Sequence, residues 1–142
     1  MIFNKRWGED FVQTKDIEEK LNRYNGFNEE MIESNAPPEL HVLLNKYISD
    51  KKMTKADVIR KLNIDRNYGY LILNGKRTPT RNCLIQLSIM LGLDVEQMDY
   101  LLKLAGKAPL YVRNIVDARV FYAVKHNMNY FDAIDFIWDG AL

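Results

Sequence analysis

Half of the Lys and Arg side chains in this sequence lie in one stretch, and a group of such cations can attract a polyanion. Between Leu40 and Asn82 there are ten Lys and Arg residues against three Asp and Glu residues, a net charge of +7. The residues before Leu40 carry −4 and those after Asn82 carry −2, so the whole chain has a formal net charge of only +1. A basic block between acidic flanks is the pattern expected of a surface that binds the phosphates of a duplex.

Groups that could support catalysis are sparse and scattered. The two histidines fall in different predicted helices, and no nucleophile motif or glycine-rich phosphate loop accompanies them. Asp132, Asp135 and Asp139 form a spaced acidic row, which is typical of a solvated helix face. Cys83 is the only cysteine, which excludes an internal disulfide, and its apolar neighbours predict a buried structural thiol. We therefore expect no enzyme activity, no metal and no cofactor.

Two short helices joined by a tight turn are predicted within the basic block. Thr54 with Asp57 three residues later is a capping-box variant, so a helix should begin there. Asn63 can take the left-handed conformation that ends this helix. Asp65 can cap a second helix, which Asn74-Gly75 would end. Two helices separated by three or four residues have the spacing of a helix-turn-helix that reads DNA.

Thr54, Val58 and Leu62, followed by Asn-Gly-Lys-Arg-Thr-Pro at residues 74–79, have the identities and spacing seen in one group of DNA-binding proteins. The stretch resembles the Cro/repressor-type (XRE-like) helix-turn-helix family over roughly residues 40–105. Residues 70–111, which end in Pro-Leu-Tyr, also look like a bacterial subgroup that carries an additional helical tail.

Apolar periodicity places the remaining helices and completes an all-α architecture. Besides the pair described above, helices are predicted at about 38–50, 81–91, 95–105, 112–126 and 129–139. Asp94 with Gln97 three residues later is a second capping box, at the start of the helix at 95–105. With the resemblance, this implies a five-helix repressor-like core at 38–106, an acidic, partly helical arm at 1–37, and a two-helix C-terminal extension at 107–142. Ile115 and Phe131 are among the apolar residues of the extension.

The C-terminal extension has more apolar residues than one side of a five-helix core requires. Either it packs on the core of its own chain, or it forms a dimer interface. Because helix-turn-helix readers usually bind DNA as two-fold dimers, we expect a homodimer.

The resemblance also implies roles for individual side chains. In this family the second helix of the motif faces base edges in the major groove, and the outward positions here include Arg66, Asn67, Tyr70 and Leu71, with Asp65 at the start. Arg can pair with guanine and Asn with adenine, while Leu71 can contact a thymine methyl group. The side chains implied as phosphate contacts are Lys55, Lys76 and Arg77, with Lys52, Arg60 and Arg81 as further candidates.

Two residues of the predicted reading helix depart from the family's pattern. Leu71 stands where many members have a polar side chain, so one base hydrogen bond is missing. Gly69 costs roughly 1 kcal/mol against Ala inside a helix, and it permits close approach either to another backbone or to DNA.

The sequence therefore predicts a sequence-specific regulator that binds double-stranded DNA with the helix at about 65–74. The alternative is a helix-turn-helix module that binds another protein, as an antitoxin or a kinase-associated adaptor would, through the apolar reading helix or the C-terminal helices. A small hydrolase is a distant third hypothesis. No apolar run approaches membrane-spanning length, and we expect a cytoplasmic protein that does not bind membranes.

Overall fold

The computed structural model describes residues 14–23, 26–34 and 36–138, and within these ranges the chain forms nine helices and no strand. The all-α prediction is thus confirmed for the described residues. The helices are α1 Thr14–Arg23, α2 Glu29–Ser34, α3 Leu40–Asp50, α4 Lys55–Leu62, α5 Arg66–Leu73, α6 Arg81–Met90, α7 Val95–Leu104, α8 Ile115–Lys125 and α9 Tyr130–Ile137.

The chain divides into two compact units, residues 1–37 and residues 38–142. The first unit contains α1 and α2, and none of the residues of α1 is buried. Asn28 caps α2, since its Oδ1 atom accepts a hydrogen bond from the Met31 N–H over 3.3 Å.

The second unit has a continuous apolar core built from α3 to α9. Leu44, Val58, Leu84 and Met98, from four different helices, have no exposed surface. Helix α3 contacts α4 and α5, α4 contacts α5 and α6, and α6 contacts α7. Burial of these side chains is the main favourable term in the stability of the unit.

Most helices of this unit begin at a side-chain cap. Thr54 and Asp57 form a complete capping box at α4, and Asp94 and Gln97 form another at α7, both as predicted. Thr80 caps α6 by accepting the Cys83 N–H. These bonds satisfy N–H groups that have no partner inside the helix.

Several helices end in the same backbone motif, in which a residue with positive φ follows the last helical turn. At the end of α5, Gly75 has φ +77° and donates to the Ile72 carbonyl, while the Lys76 N–H donates to the Leu71 carbonyl. Gly92 and Gly106 have the same role after α6 and α7. After α3 the residue with positive φ is Lys52, at φ 57°, although a non-glycine residue is strained in this conformation.

The C-terminal helices pack on the helices of residues 38–106. Helix α8 contacts α7, and α9 contacts α6 and α8. The sequence placed the start of α8 near Val112, which is wrong, because α8 begins at Ile115. The cause is Asn114, whose Oδ1 atom accepts the N–H groups of Val116 and Asp117 and fixes the helix start.

Two apolar residues of the extension lie on the surface. Ile115 is 65% exposed and Phe131 is 64% exposed. The buried residues of these helices are Val120, Ala123, Ala133 and Ile137. Because α8 is apolar on more than one side, its periodicity did not identify the side that faces the core.

Candidate nucleic-acid interface

Helix α5 has one outward side and one buried side. Arg66 and Asn67 are exposed, Leu71 is 41% exposed and Tyr70 is half-buried. At about 100° per residue, these four side chains occupy an arc of roughly 140°. The opposite side is buried, through residues Gly69, Ile72 and Leu73. All four residues predicted to contact bases therefore share one side of the helix.

Close contact with α4 holds α5 in place, and Gly69 makes this contact possible. A Cβ atom at position 69 would lie 2.6 Å from Ile59 Cγ1, much closer than real side chains approach. Of the two options that the sequence left open, the close approach is therefore to the protein's own α4.

Both ends of α5 are fixed by polar side chains. Asp65 caps the helix by accepting the Tyr68 N–H, so it serves the helix start. Asn45 on α3 donates from Nδ2 to the Leu73 carbonyl over 2.7 Å and to the His41 carbonyl over 2.8 Å. The sequence pattern did not indicate this role for Asn45, although Asn is a poor helix former and stands within an apolar helix.

Three of the predicted phosphate contacts lie near the end of α5. Lys55, at the start of α4, donates from Nζ to Asn74 Oδ1 over 2.8 Å. Lys76 and Arg77 are exposed and follow Asn74 in the chain, where both of their N–H groups donate to the Leu71 carbonyl. We call Lys55, Lys76 and Arg77 the exit cations.

Aromatic rings lie beneath two of the arginines. The guanidinium of Arg77 lies 5.4 Å from the centroid of the Tyr68 ring, and that of Arg66 lies 5.7 Å from the Tyr70 ring. The Tyr68 hydroxyl in turn accepts the Thr80 N–H over 3.3 Å. A cation–π contact of this kind favours one position of the guanidinium and leaves its N–H groups available for a hydrogen-bond acceptor. Tyr68 therefore contacts the segment after α5 through both its ring and its hydroxyl.

Lys52 and Arg60, two further phosphate candidates, are placed differently. Lys52 is exposed in the loop before α4 and has no recorded contact with the exit cations among the described residues. Arg60 donates to Asp57 Oδ1 over 2.7 Å and, like Arg66, lines a groove between α4 and α5. The hydrogen bond from Arg60, with those from Thr54, lowers the pKa of Asp57 to about 2.

Arg81, the last phosphate candidate, is occupied by contacts inside the protein. Its guanidinium forms two hydrogen bonds with the Asp117 carboxylate, at 3.0 and 2.9 Å, and donates to the carbonyls of Ala108 and Pro109. Burial raises the pKa of Asp117, but hydrogen bonds from Arg81 and from the Tyr111 N–H outweigh it and hold this pKa below its usual value. Arg81 thus joins α6 to the C-terminal extension.

The described residues contain no grouping of His, Cys, Asp and Glu side chains that would hold a metal ion. Cys83 is buried, and burial raises the pKa of its thiol to about 11, as the prediction of a structural thiol requires. Among the described helices none is long and apolar enough to cross a membrane.

Comparisons with protein-family models, with curated proteins and with solved structures found no significant match to this chain.

Proposed function

We propose that this protein is a sequence-specific double-stranded DNA-binding regulator that places α5 in the major groove. The observation that carries the proposal is the arrangement of α5, whose outward arc bears Arg66, Asn67, Tyr70 and Leu71 and whose end bears the exit cations. The fold would then be a repressor-like helix-turn-helix core with α4 and α5 as its motif. A regulator of this kind acts in the cytoplasm and needs no catalytic group.

The outward arc of α5 has the chemistry for reading base edges. A helix with its side chains is about 10–12 Å across, and the major groove is about 12 Å wide. Arg66 can donate to O6 and N7 of guanine, and Asn67 can pair with N6 and N7 of adenine. Leu71 contributes apolar contact with a thymine methyl group, and each paired contact is worth about 1–3 kcal/mol of discrimination between bases.

The cations around α5 would position the protein on the backbone. Lys55, Lys76, Arg77, Lys52 and Arg60 could neutralise about five phosphates per subunit. The logarithm of affinity should then fall with the logarithm of salt concentration at a slope of about −4.5 per subunit.

A homodimer would present two copies of α5 to successive turns of the major groove, about 34–36 Å apart. The surface proposed for the second copy is apolar and lies in the C-terminal extension, where Ile115 and Tyr122 occupy the same side of α8. Tyr111, Val112 and Phe131 of the extension are also exposed. Ile115→Asp should convert a dimer to a monomer in light scattering. Val42→Asp, at an exposed apolar residue of α3, is the matched control and should leave the dimer intact.

The proposal is tested first by a mobility shift with random genomic fragments, from which a preferred duplex is selected. Arg66→Ala should lower the preference for that duplex over random DNA by roughly 5- to 150-fold. Lys76→Ala should weaken binding to all duplexes alike and reduce the salt slope by about 1. Lys103→Ala, at an exposed cation of α7, should change neither quantity. Equal losses on selected and random duplex for Arg66→Ala and Lys76→Ala would refute the assigned roles.

One observation favours a second candidate function, a module that binds another protein. Leu71 places an apolar side chain on the outward arc of α5, and further exposed apolar residues lie in the extension. An antitoxin-like or kinase-associated adaptor would use such surfaces. Failure of the wild-type chain to shift any duplex at low salt would favour this candidate over the regulator.

A further inference from the structure

A groove of the second unit lies between α4 and α5, beside the outward arc of α5. Its volume is about 420 Å³. This is within the range of about 300–1,000 Å³ that is typical of small-molecule sites. Both helices are held in close contact at Gly69 and Ile59, so the groove is formed by rigid elements.

The lining of the groove combines apolar and cationic groups. Ala56, Ile59 and Ile64 supply apolar surface, while Arg60 and Arg66 supply two guanidinium groups. None of the lining residues has a carboxylate. A ligand that matches this lining has an apolar body and one anionic end.

Both guanidinium groups keep hydrogen-bond donors for a ligand. Arg60 uses one terminal nitrogen to donate to Asp57, which leaves its other N–H groups available. Arg66 makes a cation–π contact with the Tyr70 ring and has no hydrogen bond or ion pair with any described residue. Guanidinium groups bind carboxylates through paired, charge-assisted hydrogen bonds.

We infer that this groove is an effector site for small carboxylates with an apolar body, and that their binding releases DNA. The second part rests on the proposed function, because Arg66 and Tyr70 line the groove and also belong to the outward arc of α5. A carboxylate bound to Arg66 would occupy the donors that guanine requires. Effector and DNA therefore compete for the same guanidinium group.

The site itself is tested without DNA, by an NMR titration of the full chain with 4-phenylbutyrate. The amide signals of Ala56, Asn63 and Ile64 should shift and saturate with a dissociation constant of about 1 mM or lower. 4-Phenylbutan-1-ol has the same apolar body without the charge, and inorganic phosphate has the charge without the body. Each should bind at least roughly tenfold more weakly.

Two variants of the groove, and one control variant outside it, test whether binding depends on the groove or only on nearby positive charge. Arg60→Gln should weaken 4-phenylbutyrate binding roughly tenfold to a hundredfold. Lys61→Gln removes the neighbouring exposed cation, which does not line the groove, and should leave binding unchanged. Ala56→Leu fills the groove from an exposed helical position, keeps a good helix former and should abolish binding. Equal binding of the alcohol, or unchanged binding to Arg60→Gln and Ala56→Leu, would overturn the site.

The regulatory part is tested with the duplex selected above. Saturating 4-phenylbutyrate should displace this duplex from the wild type, whereas the Ala56→Leu variant should keep it. If the NMR titration succeeds and the duplex stays bound, release of DNA is refuted while the site stands. If the wild type binds no duplex, the proposed function fails together with release, and the titration still decides the site.

Discussion

The contact between α4 and α5 allows a sharp prediction for Gly69→Ala. On an open helix this substitution would stabilise the protein by about 1 kcal/mol, because Ala is the better helix former. Here the new Cβ atom would meet Ile59 Cγ1 at 2.6 Å, Cδ1 at 2.9 Å and Cγ2 at 3.0 Å. Ile59 is buried and β-branched, so it has no free rotamer into which it can withdraw. Overpacking of about 3 kcal/mol should exceed the gain in helix propensity and leave a net loss of about 2 kcal/mol.

A double-mutant cycle with Ile59→Ala tests the cause of this loss. That substitution removes all three of the atoms that the new Cβ would meet. In this background Gly69→Ala should therefore stabilise by about 1 kcal/mol, which is a coupling free energy of about 3 kcal/mol between the two sites.

The free energies of unfolding can be measured by urea denaturation of the full chain. Gly106→Ala is the control, since Gly106 has φ +70° but no atom within 4 Å of its ideal Cβ position. It should cost about 1–2 kcal/mol in both backgrounds, because only backbone strain is involved. The reasoning is refuted if Gly69→Ala is neutral or stabilising in the wild type, or if its effect adds to that of Ile59→Ala.

Three further predictions concern stability and reactivity. Asp117→Asn should destabilise by about 2 kcal/mol at neutral pH, because it breaks a largely buried pair with Arg81, and urea titrations would show this. Since the folded-state pKa of Asp117 is lowered, the stabilisation from its carboxylate is present above about pH 4 and is lost on acidification. The difference in the free energy of unfolding between the wild type and Asp117→Asn should therefore shrink below that pH. Lys52→Gly should raise the thermal midpoint by relieving about 1 kcal/mol of strain at φ 57°, a change that calorimetry can detect. Cys83 should react with a thiol reagent only as fast as the protein opens, and rapid labelling of the native protein would contradict its burial.

Local signals were predicted well because both partners lie within a few residues of each other. The capping boxes at Thr54 and Asp94, the left-handed Asn63 and the exit at Gly75 are all present in the structure. Each depends on backbone geometry that a sequence of four or five residues can specify. The left-handed Lys52 was missed, since Lys gives no indication of this conformation.

Contacts between distant residues were not predictable from periodicity. The Asn45 hydrogen bond to Leu73 spans 28 residues, and the pair of Arg81 with Asp117 spans 36. Residue type alone suggested a phosphate contact for Arg81, whereas the fold supplies acceptors that the sequence pattern does not reveal. For the candidate site, helical spacing was sufficient to group the outward residues of α5, but the groove beside them depends on how α4 and α5 pack.

The hydrogen bonds of Arg81 bear on how this protein can be shortened or recombined. A fragment that stops at residue 106 would lack the acceptors at Ala108, Pro109 and Asp117 to which the Arg81 guanidinium donates. It would also expose the side of α6 on which α9 packs. Such a fragment would aggregate and fold poorly, so α5 cannot be moved into another protein as an independently folding unit. Exchanges with other proteins should instead move residues 38–138 as one indivisible block.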